Sequence, residues 1–453
     1  MTRKKLILTG AALGLAAVTA QAQAQSTQDL QRALAQAQAA AAQAQDAALK
    51  AQAALEQVQA AAADAKKSSA TAAAAAAPAG SNGVTAQVVP GSGLMVRSGD
   101  SYGQLYGLID ATLFSKNHAD KSGNKVFSPD VAWFSGNRWG ITGRHSTGGP
   151  GSLAVIFRLE SEFESQTGNM DTPGVLFNRD SWLGLESKSL GKLTFGRQNA
   201  LPRDPAASAV YGDPYGPQKA GLDEGGYSNN NNFKQLIFYA GSATGTRYDR
   251  GVVWKKDWGS LISGLAYQFG GVPGSFGTNT TESASLAYNG PGFTVAGFLT
   301  RADVNSFKHQ TQSIGGNVQV SPLIRVNAGY FHYTAEQPVA VGNRHDSAWT
   351  LSTKITPPGV FDYELGYQIM SANNAGVNGS GFVKNAYADT STVTGVATGK
   401  RKTLYGSIFY HLDKQTEFYL AADHLTTTDT YKAAQANGYM SQSEVGLGMR
   451  YKF

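Results

Sequence analysis

Eight ionisable side chains alternate with apolar neighbours along extended-looking segments: Arg138, Arg144, Arg158, Glu160, Arg325, Lys354, Asp362 and Glu364. Residues two apart on a strand share a face, so each such charge gathers on the side opposite its apolar neighbours. Their chemistry is electrostatic and makes no bonds. An ion drawn into a narrow passage loses hydration. Fixed charges offset that loss, and charges of opposite sign across the passage set up a transverse field that orients polar solutes. The group holds a small basic excess, which favours anions.

Covalent and metal chemistry find no comparable support. Residues 395–401, Gly-Val-Ala-Thr-Gly-Lys-Arg, loosely match a phosphate-binding loop, but the glycine spacing is one short and Arg401 stands where Ser or Thr is needed. The stretch reads as an ordinary loop. Among seven histidines, including His332, His411 and His424, no pair has metal-ligand spacing on one strand, and Asp423 and His424 are adjacent and so face opposite ways. No motif joins Ser, His and an acid at a rim, and no spacing of loop carboxylates argues for calcium. The chain has no Cys, which excludes a disulfide scaffold and a thiolate-ligated metal. The expectation is a protein that is not an enzyme and carries no cofactor.

The elements that must position these charges are strands. At the C-terminus Val445, Leu447, Met449, Tyr451 and Phe453 alternate with Glu444, Gly446, Gly448, Arg450 and Lys452. Phe361 to Ile369 and Leu153 to Leu159 repeat the pattern, giving one face suited to lipid and one suited to water. No apolar run reaches the roughly 18 to 20 residues of a membrane helix, so strands are the only means of spanning. Sixteen segments begin near residues 103, 138, 152, 180, 191, 247, 260, 283, 292, 313, 325, 348, 361, 403, 416 and 443. Their connections alternate long (115–137, 165–179, 199–246) and short (146–151, 188–190, 256–259, 290–291, 321–324, 357–359, 412–415). Long loops at one end and tight turns at the other are the pattern of an antiparallel transmembrane barrel, and closure leaves no edge unpaired in lipid. Trp139, Tyr267, Tyr330, Trp349, Tyr451 and Phe453 lie near strand ends, where interfacial aromatic girdles form.

The N-terminal quarter is different. Arg3, Lys4 and Lys5, the apolar stretch Leu6 to Val18 and the small-residue sites Ala20-Gln21-Ala22 and Ala22-Gln23-Ala24 read as a cleaved export signal over residues 1–24. Its removal lowers the formal charge of +6 to about +3, too weak a bias for nucleic acid. Residues 25–67 contain no Gly or Pro. From Leu30 through Leu34, Ala37, Ala41, Ala44, Ala48, Ala51, Leu55, Val58 and Ala62 to Ala65, small apolar residues recur at spacings of four and three. That heptad seam predicts an α-helical coiled coil about 60 Å long, stable only against copies of itself. Residues 68–98, rich in Ala, Gly and Ser, read as a flexible linker before a barrel over 99–453.

Leu105-Tyr-Gly-Leu-Ile-Asp110, Asn137-Arg-Trp-Gly-Ile-Thr-Gly143, Phe157-Arg-Leu-Glu-Ser161, Trp182-Leu-Gly-Leu185, Leu193-Thr-Phe-Gly-Arg-Gln198 and the closing Gly448-Met-Arg-Tyr-Lys-Phe453 carry a family resemblance. Together, over roughly residues 103–453, they resemble the trimeric Gram-negative outer-membrane porins of the beta-proteobacterial type. The resemblance implies a sixteen-stranded barrel per subunit, a homotrimer in outer-membrane lipid, and passive, mildly anion-selective diffusion of ions and small hydrophilic solutes. It also implies that the third long loop, residues 199–246, folds inward and sets carboxylates against wall arginines. Gly212-Asp-Pro-Tyr-Gly216 resembles the tip of that loop, which makes Asp213, Asp223 and Glu224 the loop candidates. Arg138 and Arg197 match the wall positions by motif, with Arg144 and Arg158 beside them in the lumenal phase. Arg138 shares phase with Thr142 and Arg144. Arg197 shares phase with Leu193 and Phe195, which aims it outward unless a bulge intervenes at Gly196. The N-terminal coiled coil is similar to that of some trimeric dicarboxylate-type channels, so selective uptake of organic anions is the alternative. Placed in the periplasm, the helix would have peptidoglycan as a candidate partner.

Overall fold

The computed structural model describes residues 83–131, 133–148, 153–203, 230, 236 and 241–453. The expected signal and coiled coil lie outside the described residues. Among these are nineteen strands: β1 (Val84–Val89), β2 (Gly93–Ser98), β3 (Ser101–Lys116), β4 (Val126–Val131), β5 (Arg138–Ser146), β6 (Ala154–Glu162), β7 (Asp180–Ser187), β8 (Gly191–Asn199), β9 (Arg247–Asp257), β10 (Leu261–Gln268), β11 (Thr281–Gly290), β12 (Phe293–Val304), β13 (Phe307–Ser321), β14 (Ile324–Ala335), β15 (Arg344–Ile355), β16 (Phe361–Gly376), β17 (Val396–His411), β18 (Thr416–Thr427) and β19 (Ser441–Lys452).

Every neighbouring pair is antiparallel, and β19 returns to β3 over Lys452↔Leu108 to Glu444↔Lys116, closing a barrel of sixteen wall positions. Nineteen strands make sixteen positions because β1 and β2 lie outside the cylinder and β4 and β5 form one broken strand. β4 pairs with the upper part of β3 (Ala111 to Lys116) and β5 with its lower part (Tyr102 to Leu108). Between them Trp133 and Phe134 turn into the lumen and pack on Phe409, Tyr419 and Ala421. Buried Asp110 holds this break: its carboxylate accepts the N–H groups of Phe134 and Ser135 at 3.1 and 2.9 Å and the Tyr419 hydroxyl at 2.5 Å. A buried carboxylate with that many donors is satisfied where a lone one would be costly.

Alternation assigns the two faces. Leu351, Leu365, Leu404, Leu420 and Leu447 are each roughly half exposed on the outer face, a belt that suits acyl chains. Trp349 and Tyr330 join it, their rings 4.4 Å apart. The intervening residues Asp346, Gln368, Thr403 and Glu444 face inward and are buried.

Three sequence expectations are corrected. Residues 84–98, read as linker, form the β1–β2 hairpin; β2 extends the barrel seam by pairing Leu94 to Ser98 with Leu105 to Ser101 of β3, below the point where the chain ends. Residues 396–401, read as a loop, are the first turnless stretch of β17. The strand placed near 313 begins at Phe307, because β12 and β13 meet in a two-residue turn at Asn305 and Ser306 with φ of 51° and 70°. Both central residues at positive φ match the twist of a hairpin, and polar Lys308 to Gln312 had masked the strand.

Candidate functional site

The inner faces of β5 to β9 gather the densest charge. Glu160 and Asp180 stand directly opposite each other in the β6–β7 register, an arrangement of like charges that is unfavourable alone. Arginines offset it. Arg179, itself buried, forms ion pairs with both Glu160 and Glu162. Arg158 lies 3.7 Å from Asp180, its guanidinium 5.8 Å from the Tyr106 ring centre and 5.9 Å from that of Trp182. Arg138 opens β5 opposite Glu162 and donates from Nε to the Gly136 carbonyl at 2.9 Å. Glu162 also interacts with Arg247 and Arg203. Arg203, at the root of the third long loop, donates to Thr246 Oγ1 at 3.1 Å.

Five guanidinium groups therefore surround three carboxylates, leaving an excess of two positive charges on this arc. Arg247 is the most exposed to repulsion: Arg203 and Arg179 crowd it, Asp180 is 3.9 Å away, and its Nε and Nη2 have no hydrogen-bond partner among the described residues. A guanidinium in that position keeps donor N–H groups and positive charge of the kind that suit anionic oxygen.

A second charged group sits near the short-turn end, on β15 to β19. Lys354 lies 3.4 Å from Asp362 and 3.3 Å from Glu364. His411 bridges Asp362 and Glu417 at 3.1 and 3.3 Å, and Arg450 pairs with Glu417. Lys452 also interacts with Arg450, Glu417 and Lys354, so with His411 uncounted three cations face three carboxylates and this arc has no excess of the kind seen on the β5–β9 arc.

Of the residues singled out in the sequence, Arg138 and Arg158 come together in the β5–β9 group. Arg144 stands apart, near the short-turn end, bound to Glu186 at 3.2 Å and to the Asp100 carbonyl at 3.0 Å. Arg197 does not join the lumenal group. It registers with Ser181, out of phase with inward Trp182, and pairs with Asp249. The register does shift between Gly196 and Gln198, but the extra residue is in β9 (Gly196↔Gly251, Gln198↔Tyr248), so β8 keeps its alternation and Arg197 stays on the outer face with Leu193 and Phe195. Asp213, Asp223 and Glu224 lie outside the described residues. Arg179, Arg203 and Arg247 were missed: each sits at a strand end or loop root, where alternation no longer predicts direction.

Two described residues of the third long loop show where it goes. Asn230 contacts Thr403 on β17 and Asp423 on β18, and Leu236 packs among Phe298, Phe331 and Met370. These two loop residues thus lie against the inner face of the wall across from the β8–β9 root.

Residues 68–430, well over half of the chain, match the Gram-negative porin family. An outer membrane porin protein of Bordetella pertussis is 26% identical over 358 residues, covering 70% of this chain and 83% of the relative. Among solved structures, the anion-selective porin from Comamonas acidovorans superposes with a TM-score of 0.60 at 18% identity, over 78% of this chain and all of its own. The trimer form of OmpT from Vibrio cholerae gives 0.54 at 13%, over 78% and 99% of the two chains. The outer membrane channel DcaP of Acinetobacter baumannii gives 0.51 at 12%, over 78% and 97%. A closed sixteen-position barrel with charged inner arcs and third-loop residues against its inner wall, matched over most of its length, places this chain in the Gram-negative porin family, as an outer-membrane channel for ions and small solutes.

Proposed function

We propose that the channel prefers anions mildly and that the β5–β9 arginine group sets the preference. The supporting observation is Arg247, buried beside Arg203 and Arg179 with Nε and Nη2 lacking a hydrogen-bond partner among the described residues: its charge is incompletely offset, so the arc favours a passing anion and opposes a cation. The similarity to a porin named as anion-selective agrees with this reading. Arg138 and Arg158 contribute on the same arc, and Asp213, Asp223 and Glu224 are the carboxylates that the third loop would bring opposite it. The test is the reversal potential of single channels in a salt gradient, for the unaltered chain and for Arg247→Ala. Anion preference that falls in the variant supports the reading; cation preference in the unaltered chain defeats it.

A second reading, selective uptake of organic anions such as dicarboxylates, draws on the same crowding, because paired guanidiniums engage carboxylates bidentately. Saturable block of chloride current by succinate would favour it, and flux linear in concentration would oppose it.

The assembly proposed is a homotrimer in outer-membrane lipid. After loss of residues 1–24, residues 25–67 would form a parallel coiled coil on the periplasmic side, which the even strand count and short turns assign to both barrel ends. Cross-linking in detergent tests the trimer. Co-sedimentation with purified peptidoglycan, lost on deleting residues 25–66, tests contact with the cell wall.

A further inference from the structure

A water-filled lumen calls for polar inward residues, yet the long-loop half of β12 to β18 also carries a cluster of apolar side chains on its inner face. Phe298, Ala302 and Val304 on β12, Phe331, Tyr333 and Ala335 on β14, Met370 on β16 and Leu425 on β18 all belong to the inward phase. They are nevertheless dry, each less than 9% exposed. What covers them is chain from three long loops: Leu236 of the third, Ala386 and Tyr387 of the β16–β17 loop (377–395), and Tyr431, Ala433 and Ala436 of the β18–β19 loop (428–440).

The β16–β17 loop is fastened to four strands. The Tyr387 N–H donates to the Tyr333 hydroxyl at 2.9 Å, and the Tyr387 hydroxyl donates to the Thr300 carbonyl at 3.2 Å. The His309 ring stacks on Tyr387 at 5.5 Å and bonds Tyr333 through Nδ1 at 2.8 Å. Arg344 donates to the Lys384 carbonyl at 2.7 Å, and Thr390 to the Glu336 carbonyl at 2.8 Å. Lifting the loop would wet several large apolar side chains and break these bonds as well. Brief thermal opening is therefore rare.

We propose that residues 377–395 are a second, permanently seated constriction that seals the β12–β16 side of the lumen and confines solutes to a passage along the β5–β9 arginines. Tyr387 is its positioning residue. The third loop alone does not define the pore, and selectivity depends on the seal because it denies ions a route remote from the arginine group. The proposal rests on the chain acting as a channel, which conduction by the unaltered protein in the same bilayer establishes separately.

Replacing residues 379–392 with a short Gly-Ser connection is expected to raise unit conductance by about half or more while lowering anion-to-cation selectivity, since the new route lies away from the β5–β9 arginines and its own Arg344 is paired with Asp346. Unchanged conductance would overturn the proposal, as would higher conductance with selectivity intact. Should that variant fail to insert, the absence of native Cys gives an independent reading. With Ala386→Cys in the otherwise unaltered chain, a charged thiosulfonate reagent added to the open channel should leave the current unchanged, because position 386 is on the buried side of the seated loop, packed against the wall. Adding Tyr387→Ala should make the thiol reactive. Rapid reaction without Tyr387→Ala shows that the loop is not seated, and the proposal fails.

Discussion

Asn230 donates from Nδ2 to Asp423 Oδ1 at 2.8 Å, joining a loop rooted between β8 and β9 to the inner face of β18. Thr403 on β17 grips the Asn230 carbonyl from the same wall. A hydrogen bond to a charged acceptor contributes about 1.5–3 kcal/mol, close to one or two decades in the ratio of seated to unseated loop. Asn230→Ala should therefore add fast current fluctuations to single-channel traces that are quiet in the unaltered protein. Traces of equal noise would show that Asn230 does not anchor the loop.

Much of this architecture is legible in the chain. Strands such as β16 and β19 announce themselves because lipid and water impose opposite chemistry on alternate residues, and the beat of loops fixes their number. The pattern fails where a strand stops serving two solvents. β17 extends to Val396 through Gly399, Lys400 and Arg401, whose inner side meets protein instead of water, and the β12–β13 junction is hidden by a polar outer surface above the lipid belt. The site was legible only in part for the same reason. Arg138 and Arg158 obey alternation, whereas Arg179, Arg203 and Arg247 are directed by loop folding. Arg197 matches a family motif yet faces Asp249, since the register shift beside it adds its extra residue to β9 and leaves the alternation of β8 intact.

That placement of Arg197 is testable beside Arg158. Arg197→Ala removes a partly exposed ion pair on the outer face, worth about 0–1 kcal/mol, and should leave the reversal potential in a salt gradient unchanged. Arg158→Ala removes one lumenal positive charge beside Asp180 and should shift it toward cations. Equal shifts in the two variants would place Arg197 in the conduction path after all.

Two ion pairs at the long-loop end should differ sharply in their effect on stability. Arg344 and Asp346 form a fully buried pair with Nη2 to Oδ2 at 2.6 Å, and Asp346→Ala would strand the guanidinium at a cost of about 3–5 kcal/mol. Lys308, paired to Asp303 at 2.8 Å, is 65% exposed, so Lys308→Ala should cost about 0–1 kcal/mol. The midpoint of heat-induced unfolding on semi-native gels should fall markedly for the first and barely for the second. Similar midpoints would mean that burial does not govern the pair.

Acid should loosen the β16–β17 loop. The Ser391 hydroxyl and N–H, with Asn305 and Lys384 nearby, hold the Asp389 carboxyl below its ordinary range. A depressed folded value means that the carboxylate supports the loop above the unfolded value of about 3.9, and that this support is lost as pH falls through the lower folded value. Hydrogen exchange within residues 377–395 should accelerate, more than the intrinsic rate explains, as pH falls below the ordinary carboxylate value of about 3.9. In Asp389→Asn the excess should vanish; if it persists, another group carries the acid sensitivity.

The seam offers a test of closure itself. Gly107 and Phe453 exchange main-chain hydrogen bonds, Gly107 N to Phe453 O at 2.8 Å and Phe453 N to Gly107 O at 3.0 Å, and the Phe453 ring lies over the α-carbon of Gly107. A Cβ at position 107 would overlap that ring, so Gly107→Ala must displace the terminal residue or the strand, at about 1–3 kcal/mol for overpacking. Phe453→Ala alone loses apolar contact but leaves both main-chain bonds possible. Because the strain in Gly107→Ala exists only while the ring is present, the double variant should be no less stable than Phe453→Ala alone, a coupling that a double-mutant cycle on unfolding midpoints measures directly. Strict additivity would mean that the ring does not rest on Gly107, and that the seam is held by its main-chain bonds alone.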